Sequence, residues 1–367
     1  MSATKTSNWR RLTILGLFSF SALNPFSVAQ DETTPLPAPG ISIELLDSLT
    51  QLPGNLSALP LSPPIPAGNP QTPAKIELGK MLFFDTRLSR DGSLSCATCH
   101  DPDKGFSDAR PRAVGIGNKI LARRSPTVLN AAYNPLQFWD GRAHSLEEQA
   151  AMPILSSVEM GMPDRGSLVS VLEQIPDYRE RFDQVFGGPV SFQHITAAIA
   201  AFERTLVTPN SAFDRYARGD KQALTEPQKR GLIVFFGKAS CTQCHNGPNF
   251  TDNKFYALGL LPGEGETRDP GRFAISKDPL DQSAFKTPSL RNVTDRAPYL
   301  HNGSIATLPE VIDWYNRGGG EGQKSDLIHP LGLTADEQND LLSFIVSLNG
   351  KAPKIQKPNF PADATNR

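Results

Sequence analysis

A mainly α fold built from two related units is the class this sequence predicts, and three observations carry it. Capped apolar stripes with helical spacing recur between residues 72 and 348, whereas no run of alternating apolar and polar residues reads as a sheet. The pattern Cys-x-x-Cys-His occurs twice, as Cys96-Ala97-Thr98-Cys99-His100 and Cys241-Thr242-Gln243-Cys244-His245, and uses all 4 cysteines. The flanks of the two copies are alike. Gly79-Lys80-Met81-Leu82-Phe83-Phe84 matches Gly231-Leu232-Ile233-Val234-Phe235-Phe236, and Phe106-Ser107-Asp108 matches Phe250-Thr251-Asp252. This is the signature of an internal repeat, offset by 145 positions at the cysteines.

The cysteine pattern has a chemical reading. Each thiol can add to one vinyl group of the same porphyrin, and the adjacent imidazole then reaches the iron from one face. Two copies predict two covalently bound haem c groups, held by Cys96, Cys99 and His100 and by Cys241, Cys244 and His245. The competing readings are a zinc site or a redox dithiol. A zinc site needs the two pairs close in space, and nothing in the sequence asks for that.

Composition narrows the setting. Arg10 and Arg11 precede an apolar run at 12–23, and Ser27-Val28-Ala29 is a small-residue cleavage site, so residues 1–29 read as a signal peptide. The run is too short for a membrane span of about 20 residues. Export agrees with covalent haem attachment and points to the periplasm. Apolar content of 38% and charged content of 20% fit an ordinary globular protein. A net charge of −1 gives no argument for nucleic acid or an anionic membrane. The 32 prolines predict much ordered loop around the cofactors.

Residues 30–70 form a Pro-rich leader without a clear period, read as wrapped on the surface or partly disordered. Residues 71–222 make the first unit. Thr72-Pro73 is an N-cap and N1 pair opening a helix to about Phe84. Ser145-Leu146-Glu147-Glu148 reads as a capping box. Ser191 caps a stripe of Ile195, Ala198, Ile199, Phe202 and Leu206, in which His194 is a core or surface residue. Residues 223–350 make the second unit, opened by Thr225-Glu226-Pro227. Thr307-Leu308-Pro309-Glu310 caps a helix whose Leu308, Val311, Ile312 and Tyr315 share one face, and Gly318-Gly319-Gly320 ends it. Thr334-Ala335-Asp336-Glu337 caps the last helix, with Leu341, Phe344, Ile345 and Leu348 inward and Gly350 as its stop. Residues 351–367 are a tail.

The two CxxCH motifs, Phe138-Trp139-Asp140-Gly141-Arg142, Gln149, Ser157-Val158-Glu159-Met160 and Pro298-Tyr299-Leu300-His301-Asn302-Gly303 stand in an order that resembles the bacterial di-haem cytochrome c peroxidases and their MauG-type relatives. The resemblance covers nearly all of residues 70–350. It implies two cytochrome c-like haem domains, a peroxidatic N-terminal haem and an electron-transfer C-terminal haem. It also implies Glu159 as the catalytic acid–base, Gln149 as its hydrogen-bonding partner and Trp139 as an electron relay between the haems.

The second axial ligands decide the chemistry. No methionine follows residue 162, so the second haem has no methionine of its own. Tyr315 is the favoured ligand: it points inward from its helix and falls where MauG-type proteins have a tyrosine. A core tyrosine is the alternative, with His301 and His329 as further candidates. Family peroxidases often carry a displaceable histidine on the loop Val114-Gly115-Ile116-Gly117-Asn118. Here there is none, so the first site is expected to be open. Family members can also hold calcium through an asparagine and two carbonyls. The carbonyl positions correspond to Arg296 and Pro298, but the asparagine position is Arg124, and a cation there argues against the metal.

Three readings follow. The first is a di-haem peroxidase that takes electrons from a small redox protein, a cytochrome c or a copper protein, and passes them to hydrogen peroxide. The second is a MauG-type enzyme that oxidises side chains of a partner protein. The third is a non-enzymatic electron carrier. The resemblance leaves a homodimer open.

Overall fold

The computed structural model of the chain describes residues 41–263 and 267–360. The segment read as a signal peptide, the start of the leader and the end of the tail lie outside these residues. Among them the chain is mainly helical. In order come α1 (Ile43–Ser48), α2 (Pro73–Phe84), α3 (Cys96–Cys99), α4 (Leu146–Leu155), α5 (Arg165–Glu173), α6 (Pro176–Phe186) and α7 (Phe192–Glu203). There follow α8 (Ala212–Ala217), α9 (Glu226–Phe236), α10 (Phe273–Ser276), α11 (Leu308–Asn316) and α12 (Ala335–Val346). The sheet is one antiparallel pair, β1 (Phe255–Ala257) and β2 (Ala284–Lys286), with Tyr256 opposite Phe285.

Local chemistry accounts for the helix starts. Thr72, Ser145, Ser191, Thr307 and Thr334 each accept a backbone N–H from the first turn. At α4 the capping box is only half made. The Glu148 carboxylate takes the N–H of His144 rather than that of Ser145. The last helix ends at Val346, before the Gly350 stop expected from the sequence. Gly350 instead lies against the backbone of Thr208.

Two large apolar cores form among the described residues. One gathers Leu78, Leu82, Phe83, Ile154, Leu168, Phe182, Ile199 and Phe202. The other gathers Phe213, Leu232, Phe235, Phe250, Ile312, Leu341 and Phe344. In each, one glycine lets two helix backbones touch. A Cβ on Gly79 of α2 would sit 1.8 Å from the Ala198 carbonyl of α7, and one on Gly231 of α9 would sit 1.9 Å from the Asp340 carbonyl of α12.

The leader differs from expectation. Its described part is not a loose surface wrap. Leu46, Leu52 and Leu56 are buried in the second core, and the N–H of buried Leu59 donates to Asp214 at 2.8 Å. Asp214 in turn pairs with Arg291 at 2.9 Å, both side chains fully buried. Four leucines without a helical or strand period gave no signal in the sequence. The buried Asp214–Arg291 pair holds the end of this stretch, through the Leu59 N–H and the Ser57 carbonyl.

Candidate functional site

The first CxxCH motif begins as the short helix α3, capped by Ser95, and ends on His100. The next residues turn back, so the Nδ1 of His100 lies 3.3 Å from the carbonyl of Phe106. The second motif does the same, with His245 Nδ1 3.1 Å from the carbonyl of Phe250. Phe106 and Phe250 both sit at positive φ, 54° and 51°, which aims each carbonyl at its imidazole. An Nδ1–H donor to a carbonyl fixes the tautomer and leaves Nε2 for a metal.

Burial of the thiols disfavours a redox dithiol. Such a thiol needs a depressed pKa. Here burial pushes Cys99 up to about 11 and Cys241 and Cys244 up to about 12. Among the described residues, no three His, Cys, Asp or Glu side chains converge as a chelate. Two neutral thiols and one oriented imidazole beside a cavity suit a covalently held haem.

That cavity holds about 900 Å³ and is lined by Cys96, Cys99, His100, Gln149 and Glu159, with Trp139 and His301 on its wall. Gln149 comes from α4, one turn before Pro153. Glu159 follows in a tight loop in which the N–H of Met160 donates to the Pro153 carbonyl. The histidine-free loop at 114–118 closes on it. Ile116 N–H donates to the Glu159 carbonyl at 2.7 Å, and Gly115 packs so near Val158 that a Cβ would lie 1.8 Å from its carbonyl. Burial raises the pKa of the Glu159 carboxyl, and Arg142 partly offsets this. Of its two chain neighbours, Met160 is buried and Val158 points outward, 42% exposed.

Trp139 donates its indole N–H to the Arg124 carbonyl at 3.1 Å. Its ring meets His301 edge-on, centroids 6.5 Å apart, and His301 stacks on Phe285 at 3.6 Å. His301 therefore belongs to the wall of the first cavity. Burial lowers its pKa to about 4, so it is neutral. His329 is exposed. Of the three candidates for the second haem, Tyr315 is the one at the second motif. Burial first, and then the Cys244 and Cys241 thiols, push its phenol up.

Arg124 is buried and donates through Nη2 to the carbonyl of Arg296 at 2.7 Å. That carbonyl is one of the two positions named for calcium, and a guanidinium already uses it.

Sequence reading missed three buried charged residues. Glu203 lines the cavity with one carboxyl oxygen unpartnered, and burial pushes it up to about 8. Arg296 lies within charge range of Arg124 and of Lys286. A signal for Lys286 existed. Arg124-Ser125-Pro126-Thr127 matches Lys286-Thr287-Pro288-Ser289, and Trp139-Asp140-Gly141 matches His301-Asn302-Gly303, each 162 positions apart rather than 145. The bonds match too. Arg124 N–H donates to the His301 carbonyl at 2.9 Å, and Lys286 N–H donates to the Trp139 carbonyl at 2.7 Å.

A family model described as di-haem cytochrome c peroxidase matches residues 73–222. The methylamine utilization protein MauG of Methylorubrum extorquens is 44% identical over 305 residues, covering 82% of this chain and 86% of that protein. The chain belongs to the di-haem cytochrome c peroxidase and MauG family. The cytochrome c551 peroxidase of Pseudomonas aeruginosa is 41% identical over 302 residues, covering 80% of this chain and 84% of that one. Among solved structures, a MauG-like protein associated with microbial copper homeostasis superposes with a TM-score of 0.73 at 34% identity, covering 80% and 95% of the two chains. The family makes this protein an oxidoreductase that uses peroxide and implies haem c as its cofactor. Among the described residues no helix is long and apolar enough to cross a membrane.

Proposed function

We propose that this di-haem peroxidase consists of two cytochrome c-like units, residues 71–222 and 223–350, exported to the periplasm. It reduces hydrogen peroxide beside His100 with electrons that enter at the second motif from a small redox protein. The carrying observation is that Glu159, Gln149 and the first CxxCH motif line one cavity of about 900 Å³. The matched imidazole–carbonyl bonds and the glycine crossings of α2 with α7 and of α9 with α12 support the two-unit reading.

Bound haem supplies an iron that takes peroxide and the two electrons that cleave its O–O bond. The protein residues supply position and protons. His100 and His245, fixed through Nδ1, offer Nε2 to each iron. Glu159 takes the proton from the near peroxide oxygen and returns it to the departing one. Gln149, on the neighbouring helix, offers an amide to hold the substrate. The balance is H₂O₂ + 2 e⁻ + 2 H⁺ → 2 H₂O, with the donor protein oxidised. Trp139, wedged between the halves, is the relay.

One observation favours the MauG-type reading, oxidation of a partner protein's side chains. Tyr315 lies within the electrostatic reach of Cys241 and Cys244, and a phenolate ligand favours ferric iron over ferrous. Steady-state peroxide turnover with a reduced cytochrome c, compared with a reduced copper protein, tests the first reading. Turnover with neither donor removes it in favour of the second.

A further inference from the structure

Three cations are buried together between the two CxxCH motifs, and among the described residues no carboxylate contacts them. Arg124, Lys286 and Arg296 are 6%, 8% and 8% exposed. Arg124 donates through Nη2 to the Arg296 carbonyl and, at 3.2 Å, to the Ser107 hydroxyl. Arg296 donates through Nη2 to the Ser289 carbonyl. The Nε atoms of both arginines are buried without any partner. The Lys286 ammonium makes no hydrogen bond among the described residues.

The nearby anionic groups do not fill these gaps. Asp108 accepts from Ser125 and Arg110, Asp252 from Tyr256 and Lys254, and Asp295 from Asn292, Thr294 and Asn349. None of them bonds to the three cations. Burial, and then Arg296, pulls Lys286 down to about 8, while burial, and then Arg124, pulls Arg296 down to about 10. All three still carry charge at neutral pH. A buried charge without a contact partner is costly, and so is an unpartnered buried donor. Asp108, Asp252 and Asp295 act on them only through charge at longer range, and an anion in direct contact would complete the site.

The position identifies the anion. Arg124 lines the cavity of the first motif. Arg296 acts electrostatically on His245 of the second. Arg124 and Lys286 head the two matching strings, and each clasps the other half through its N–H. A group held on both sides of this seam by thioethers and imidazoles brings its own carboxylates.

We propose that Arg124, Lys286 and Arg296 form a carboxylate-binding site that receives haem propionates at the seam between the two halves. This rests on the di-haem reading above. Two guanidinium Nε–H groups and an ammonium are the donors, and charge-assisted bonds to carboxylate are the strong class. The site also acts on the relay, because the carbonyl of Trp139 is bonded to Lys286 and its indole to Arg124. Propionate charge at the cluster cancels the cationic field on the Trp139 ring and so makes electron withdrawal from it easier.

The test uses the full-length haem-loaded protein with Arg296→Gln, Lys286→Gln and the charge-keeping Arg296→Lys. Mass spectrometry counts covalent haems, resonance Raman reads the propionate bending bands, and spectroelectrochemistry reads midpoint potentials. Removing a nearby cation favours ferric iron, so both glutamine variants should show shifted propionate bands and a lower potential for at least one haem. Arg296→Lys should stay close to wild type. Loss of haem from Arg296→Gln with recovery in Arg296→Lys also supports the site. Bands and potentials that superimpose on wild type in both glutamine variants overturn it, leaving the cluster to a free anion or water. A wild-type protein without haem overturns the peroxidase reading and this inference with it.

Discussion

Replacing Glu159 by glutamine keeps the size and shape of the side chain and removes the base. Only burial and the charge of Arg142 act on its carboxylate, which has no hydrogen bond to another described side chain. No described side chain is hydrogen-bonded to Glu159 to stand in for it, and Gln149 in the same lining cannot carry a proton as a carboxylate does. General acid–base help contributes roughly 10²–10⁴-fold. At about 1.4 kcal/mol per tenfold, the loss is about 3–6 kcal/mol of barrier lowering. Stopped-flow mixing with peroxide should show that slowing, with haem content by mass unchanged. The pH profile gives a second reading. Glu159 must be ionised to accept a proton, and burial raises its pKa above the usual 4.5. The rate should thus fall as pH drops through that raised value, with an acid limb above 4.5. Arg142 lowers the same pKa, so Arg142→Gln should move the limb further up. Normal peroxide kinetics in Glu159→Gln would remove this residue from the mechanism. A limb that stays in position in Arg142→Gln would refute the electrostatic account.

Four further outcomes are expected. Mass spectrometry of the mature protein should show two added haem masses that survive acid–acetone extraction, and one haem or bound zinc would end the di-haem reading. Tyr315→Met should raise the potential of the second haem, since axial ligands move haem potentials over about 0.8 V, and should change its low-spin electron paramagnetic resonance signal. An unchanged potential and signal would make Tyr315 a packing residue. Gly231→Ala forces a Cβ to within 1.9 Å of the Asp340 carbonyl and should cost about 1–3 kcal/mol by chemical denaturation through strained packing of α9 on α12. Asp214→Ala strands a fully buried Arg291 guanidinium and should cost about 3–5 kcal/mol, an expectation that fails if the denaturation midpoint is unmoved.

Some of this was readable in the sequence because its cause is local. Two thiols and an imidazole must reach one porphyrin, so their spacing is set by the ring and survives in any fold. A helix start depends on a cap and the following turn, which is why α2, α7, α9, α11 and α12 begin where their Ser and Thr residues indicate. Tyr315 could be singled out because a helical face repeats every three or four residues. The family resemblance supplied Glu159, Gln149 and Trp139, which composition alone would not separate from surface or core residues.

Other features depend on residues far apart in the chain, and tertiary packing alone decides them. Leu59 is buried because Asp214 accepts its N–H, and Asp214 is held by Arg291. His301 faces Trp139 rather than the second motif because the strings at 124–127 and 286–289 clasp each other's halves. The displaced carboxyl pKa values of Glu159 and Glu203 and the crowding of Arg124, Lys286 and Arg296 arise from burial, which no local spacing encodes. The sequence determined which cofactor chemistry the chain is built for. Folding determined which protons and charges surround it, because electrostatic strength depends on how much water the surrounding packing excludes.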